Sequence, residues 1–174
     1  SFNMRQSRTY PSGFDAGTYE VALVLGCSTN NFLTGSGYAV VLGNSGTSDN
    51  LRLVKFVAGI SGNAGLTNII APVVDYGSDY LTIKVTYNPI GNNWSLFIGS
   101  NLAAFDNPLT ASYTQLGATT SDNTYTGVDL LYMGCLWNHS TGASDLAYFD
   151  NINIPSLCTL APEPTVQATS ISLS

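Results

Sequence analysis

Bond-breaking chemistry on a polymer needs two carboxyl groups on either side of the scissile bond, about 5–5.5 Å or about 6.5–9.5 Å apart according to stereochemical outcome. The chain supplies few acids in such a pattern. Its only glutamates are Glu20, flanked by apolar residues, and Glu163, in a Pro-rich stretch. Asp75 and Asp79 are separated by Tyr76-Gly77-Ser78, a loop composition. Asp145 and Asp150 differ in strand parity, so a strand through them turns their side chains to opposite faces. The single histidine, His139, sits in Trp137-Asn138-His139-Ser140-Thr141-Gly142, and no Gly-x-Ser-x-Gly elbow supplies it with a nucleophile. Cys135 and His139 lack zinc spacing. These residues predict no catalytic centre, and the fragment is expected not to be an enzyme.

Binding of a sugar asks for different groups: rings that stack on C–H faces, and amides or carboxylates that bond hydroxyls. Here the chain is rich, with ten Tyr, two Trp and 16 Asn. Trp137, with Asn138 and His139 after it, is placed at the end of a strand beside a polar loop. Tyr76 and Tyr80 bracket the loop that carries Asp79, and Tyr125 lies in another polar loop. These seven residues, Trp137, Asn138, His139, Tyr76, Asp79, Tyr80 and Tyr125, are the expected ligand contacts. Trp94 is in phase with Leu96 and Ile98, so it reads as a packing residue, as do Tyr87, Phe97, Tyr148 and Phe149.

The scaffold that must hold these groups is legible from composition. In 174 residues, Gly, Ser, Thr and Asn make up 70, while charged residues are only 9% against about 25% in an ordinary domain. Strong helix formers are scarce, which excludes a helical bundle. With five Lys and Arg and a net charge of −6, nucleic acid is an unsuitable partner, because phosphate contacts need cations. No apolar run reaches the ~20 residues of a membrane span, so no membrane insertion is expected. Cys27 and Cys135 lie in apolar strand-like runs and read as buried small residues; Cys158 is in a looser segment, able to pair with either.

The periodicity is that of strands. Apolar runs occur at Tyr19 to Leu25, Tyr38 to Leu42 and Leu51 to Val57, and a weaker one at Asn68 to Val74. Leu81, Ile83, Val85 and Tyr87 alternate with Thr82, Lys84 and Thr86, and Trp94 to Ile98 returns after the turn Asn88 to Asn93, giving a hairpin. Late strands are expected at Leu130 to Trp137 and Leu146 to Ile154, and Asn101 to Thr126 reads as a long polar loop. The pattern predicts an all-β fold, an antiparallel two-sheet jelly-roll sandwich. The domain is expected over residues 1–158. Residues 159–174, with Pro162 and Pro164 followed by the alternating Val166 to Ser174, read as a linker and the start of a following module. The piece, opening on Ser1 without a signal segment, is expected to be excised from a larger protein.

Four stretches resemble the concanavalin A-like lectin/glucanase superfamily, in particular laminin G-like jelly rolls of secreted bacterial proteins. They are Gly37-Tyr38-Ala39-Val40-Val41-Leu42-Gly43, Leu51-Arg52-Leu53-Val54-Lys55-Phe56, the hairpin from Thr82 to Phe97, and Ala147-Tyr148-Phe149-Asp150-Asn151-Ile152. The tail resembles intermodule linkers of Bacteroidetes-type secreted proteins. The Glu-x-Asp-x-Glu strand of the superfamily's glucanases is missing here. The superfamily hosts enzymes, lectins and adhesion modules alike; the resemblance, the missing acid pair and the ring- and amide-rich composition together lead to the expectation of a secreted or cell-surface, non-catalytic carbohydrate-binding module that targets a neighbouring domain of the same chain to a polysaccharide. The alternative left open is an adhesion or spacer module without a small ligand. The resemblance also implies a structural Ca²⁺, for which oxygen ligands are needed; Asp150, Asp15 and Asp49 are the expected metal ligands, with Asp75, Asp79 and Asp122 as further acids. For Asp150 the competing role is a partner for Arg5, Arg8 or Arg52.

Overall fold

The computed structural model describes residues 1–7, 19–43, 48–139 and 146–155. Among them lie ten strands: β1 (Phe2–Gln6), β2 (Tyr19–Cys27), β3 (Gly37–Leu42), β4 (Leu51–Phe56), β5 (Leu66–Ile70), β6 (Leu81–Asn88), β7 (Asn93–Gly99), β8 (Tyr113–Ser121), β9 (Tyr132–His139) and β10 (Ala147–Asp150). They form two five-stranded sheets, in the orders β10-β1-β6-β7-β8 and β5-β4-β3-β2-β9, with every pairing antiparallel. The predicted all-β sandwich is the observed architecture. None of the described helical structure is long and apolar enough to cross a membrane.

The inner faces meet in one core. Phe2 and Met4 of β1, Leu81 and Ile83 of β6 and Leu96 of β7 face Leu23, Val40, Leu42, Leu51 and Leu53 of the second sheet. Each such side chain, fully buried, stabilises the fold by about 1.5–3 kcal/mol. The second sheet is also buried on its other face, where Ala22, Val24, Ala39, Val41, Val54 and Phe56 are inaccessible. Double burial explains why β2 and β3 are unbroken apolar runs instead of alternating ones.

Successive strands run up and down, so the connections sort to two ends. The β6–β7 hairpin, the β2–β3 and β8–β9 loops and Ser1 lie at one end, the hairpin end. The β3–β4, β5–β6 and β7–β8 connections lie at the other. The edges β5 and β8 are in contact, and Gly117 of β8 comes so near Ile70 of β5 that a Cβ there would be 3.0 Å from its Cγ2. The edges β9 and β10 therefore fall on the opposite side.

Several boundaries differ from the sequence expectation. The segment 101–126 is not one loop, because β8 occupies its second half. β8 is an edge strand of Thr, Gln, Ser and Ala with a bulge at Gly117 (φ 67°), so it shows no apolar alternation. β1 was not anticipated, because its inner face carries only two apolar residues, Phe2 and Met4, before Gln6. The strand expected from Asn68 to Val74 is Leu66–Ile70, and Pro72, without an N–H, follows its end. The late strands are Tyr132–His139 and Ala147–Asp150; the second stops where Asn151 turns left-handed (φ 49°).

Candidate functional site

Four rings cross the hairpin end from one sheet to the other. Tyr87 and Trp94 are directly opposed in the β6–β7 register, with ring centroids 4.6 Å apart and planes at 38°. Trp94 meets Tyr38 of β3 at 4.6 Å, and Tyr38 meets Tyr125 of the β8–β9 loop edge-on at 5.2 Å. The indole Nε1 donates to Asp122 O at 3.3 Å, which settles the polar end of a ring only 8% exposed. Tyr87 is the open member of the series, 43% exposed.

Two cavities adjoin at this ring pair. One, about 200 Å³, is lined by Tyr38, Tyr87, Trp94, Tyr125, Thr126 and Leu130. The other, about 350 Å³, has walls of Phe2, Leu25, Val85, Tyr87, Trp94 and Met133, with Ser1 and Asn153 to Pro155 at its rim. Tyr87 and Trp94 belong to both, so the cavities are halves of one groove between the sheets. Leu130, a wall of the smaller cavity, lies against β2 at Gly26, where the register of that strand shifts.

Asp122 organises the polar side. Its Oδ2 lies 2.6 Å from Lys55 Nζ, and its Oδ1 accepts from Tyr38 OH (2.8 Å) and Thr124 N (3.0 Å). Burial pushes the Asp122 carboxyl up, but the bonds from Lys55, Thr124 and Tyr38 together outweigh it and hold the group below the usual carboxylate range. Burial and the bond to Asp122 push the Tyr38 phenol far above its ordinary value. Burial likewise raises the Tyr125 phenol, whose OH donates to Phe56 O at 2.6 Å. Asp122 is thus ionised and paired with Lys55, with both oxygens engaged. Among the described residues no carboxylate lines either cavity. The arrangement suits an uncharged ligand with a flat apolar face.

The residues expected from the sequence do not gather there, with one exception. Tyr125 forms part of the groove wall. Tyr76, Asp79, Tyr80 and Asp49 lie at the opposite end. Tyr76 is 6% exposed and turned into the core, and its N donates to Asp49 O at 3.2 Å. Asp79 N closes the turn on Tyr76 O at 2.9 Å. Tyr80 packs edge-on against Phe105 and lies under the Arg5 guanidinium, 4.2 Å from its centroid. Trp137 is inside β9 and packs against the inner core, and Asn138 and His139 end that strand opposite Glu20 and Tyr19.

Asp49 N donates to Asp75 Oδ1 at 3.1 Å, joining two loops. Asp150 is exposed, and its carboxylate accepts from Asn151 N (2.8 Å) and Asn151 Nδ2 (3.0 Å). Asp15, Arg8, Asp145 and Cys158 lie outside the described residues. Among the described residues no three His, Cys, Asp or Glu side chains are placed to hold a metal ion. Cys27 is buried as expected; Cys135 is exposed, because β9 is an edge strand. Arg52 turns to the outer face of its sheet, donating to Gly43 O (2.9 Å), Asn68 Oδ1 (3.0 Å) and Asn63 Oδ1 (2.7 Å). The groove residues Tyr38, Tyr87 and Trp94 were not foreseen as a site, and Asp122, expected only among the further acids for a metal, instead braces Tyr38 and the β8–β9 loop. The one available signal was the hairpin, whose turn sets Tyr87 opposite Trp94.

No family model matches the chain, and neither a curated protein nor a solved structure matches it.

Proposed function

We propose that the chain is a non-catalytic carbohydrate-binding module, secreted or cell-surface, whose groove between the sheets takes a neutral polysaccharide and thereby places a neighbouring domain on it. The observation that carries this reading is the Tyr87 ring, 43% exposed and backed by Trp94, as the shared wall of two adjoining cavities. A pyranose needs such a surface for its C–H face. Among the described residues no carboxylate lines either cavity, which supports binding without turnover. The resemblance to laminin G-like jelly rolls agrees with this reading. Affinity gel electrophoresis through neutral polysaccharides, run with calcium present, tests it. The protein should be retarded by at least one of them and Tyr87→Ala should not; no retardation on any would sink the reading.

The alternative, an adhesion or spacer module, draws on a different feature. Leu131 (76% exposed) and Tyr132 stand at the start of the edge strand β9, and Ile152 lies exposed after β10. A protein surface would cover such residues. That reading expects Tyr87→Ala to leave every interaction intact.

A further inference from the structure

Asn92 stands in the β6–β7 turn with a left-handed backbone (φ 53°), a conformation that asparagine tolerates better than most residues. Its main chain is held on both sides: Asn92 N donates to Pro89 O at 3.4 Å, and Asn92 O accepts from Asp122 N at 3.0 Å. Its side chain is held too. Oδ1 accepts from Tyr87 OH at 2.6 Å and from Thr126 Oγ1 at 3.1 Å. Two donors satisfy the two acceptor sites of an amide oxygen. They also fix which way the amide points, and its Nδ2 has no partner among the described residues. Tyr87 and Thr126 both line the smaller cavity, so this amide is bonded to two of its walls and adjoins the open ring.

We infer that Asn92 is the hydrogen-bonding residue of the groove, donating through Nδ2 to a hydroxyl oxygen of a pyranose stacked on Tyr87. The inference rests on the carbohydrate-binding reading and narrows it to a neutral pyranose that offers an acceptor at the edge of its apolar face. The ring and the amide form one pre-set unit. The Tyr87 hydroxyl that orients the amide belongs to the ring that stacks the sugar, so both contacts keep a fixed mutual position before ligand arrives. Pre-set donors lose little entropy on binding.

Asn92→Asp is the informative variant. Aspartate keeps an acceptor for Tyr87 OH and Thr126 and tolerates the left-handed backbone. It has no N–H to offer, and it brings a charge that ligand must strip of water. Mixed-linkage β-glucan, xyloglucan, galactomannan and starch are the probes, in affinity gels, with thermal unfolding of each variant as the control. The expected result is retardation of the wild type by at least one probe, an about tenfold weaker effect for Asn92→Asp, and an unchanged unfolding midpoint. Equal retardation of wild type and Asn92→Asp overturns the role of Asn92 and leaves the binding reading standing. A wild type that no probe retards removes both. Should Asn92→Asp fold poorly, Tyr87→Phe decides: it keeps the ring and frees the amide, so it should weaken retardation severalfold, and an undiminished effect overturns the inference.

Discussion

Lys55 Nζ lies 2.6 Å from Asp122 Oδ2, so one ion pair ties β4 of the second sheet to the loop that leaves β8 of the first. That loop carries Tyr125 and Leu130, two walls of the groove. The sandwich and the site therefore share a fastening. Tyr38 adds a second tie to the same carboxylate from β3.

This fastening should weaken in acid. The Asp122 carboxyl is held below its ordinary value in the folded state. A group with a depressed folded pKa lends stability that is present above its unfolded value and is lost as pH falls through the folded one. The unfolding midpoint should therefore drop between about pH 5 and pH 3, and Asp122→Asn should show a shallower drop over that window. Thermal scans across the window check it; identical slopes for the two proteins would show that Asp122 is not the group responsible.

Tyr87 and Trp94 touch each other, yet their replacement should separate binding from folding. Trp94 is 8% exposed and wedged between Tyr38 and Tyr87, so Trp94→Ala should cost about 3–5 kcal/mol. Tyr87, 43% exposed, should cost about 1 kcal/mol as alanine while abolishing retention by polysaccharide. Urea denaturation beside affinity gels measures both. Similar losses of stability for the two variants would place Tyr87 in the core instead of at the site.

Sequence patterns expose elements with apolar periodicity and conceal those without it. β2, β3 and the β6–β7 hairpin are visible because their cores are written in Val, Leu and Ile. β8 hides because an edge strand in contact with only one neighbour in its sheet can be built from Thr, Ser and Gln. The site hides for another reason. Tyr38, Tyr87, Trp94, Asp122 and Tyr125 come from four separate segments and converge only once the register of both sheets is set. Trp137 and Tyr76 were the attractive candidates as aromatics beside polar loops, but strand parity and the β5–β6 turn direct both rings into the core. Asn92 looks like an ordinary turn residue until Tyr87 and Thr126 are seen to hold its amide.

Arg52 is a cation on the buried outer face of the second sheet, 3% exposed, and burial pulls its guanidinium down to about 10. It remains charged at neutral pH and donates to three acceptors on three segments. A lysine keeps the charge but lacks the planar fork that reaches all three. Arg52→Lys should cost about 1–2 kcal/mol, mainly where the buried Gly43 O is left unbonded, since Asn63 is half-buried and Asn68 exposed to water. The groove lies on the inner side, so ligand retention should survive at temperatures where the variant is folded. Chemical denaturation giving no loss would mean that lysine satisfies the same acceptors.

Two glycines in the bulged stretch of β2 and β3 should prove unequal. A Cβ on Gly37 would sit 1.9 Å from Gly26 O, a main-chain atom with no room to retreat inside a paired sheet. Gly37→Ala must push β3 away from β2 and break the ladder between two doubly buried strands, so it should lose well over about 3 kcal/mol or fail to fold. A Cβ on Gly26 meets the Leu130 side chain at 2.9 Å and its main-chain O at 3.4 Å, a milder clash than at Gly37. Gly26→Ala should cost about 1–3 kcal/mol. It should also weaken binding, because Leu130 is a wall of the smaller cavity and would be displaced. Soluble yield and unfolding midpoints rank the two variants, and affinity gels on Gly26→Ala report the groove. Equal stability of the two would show that the β2 bulge relaxes to admit a side chain at either position.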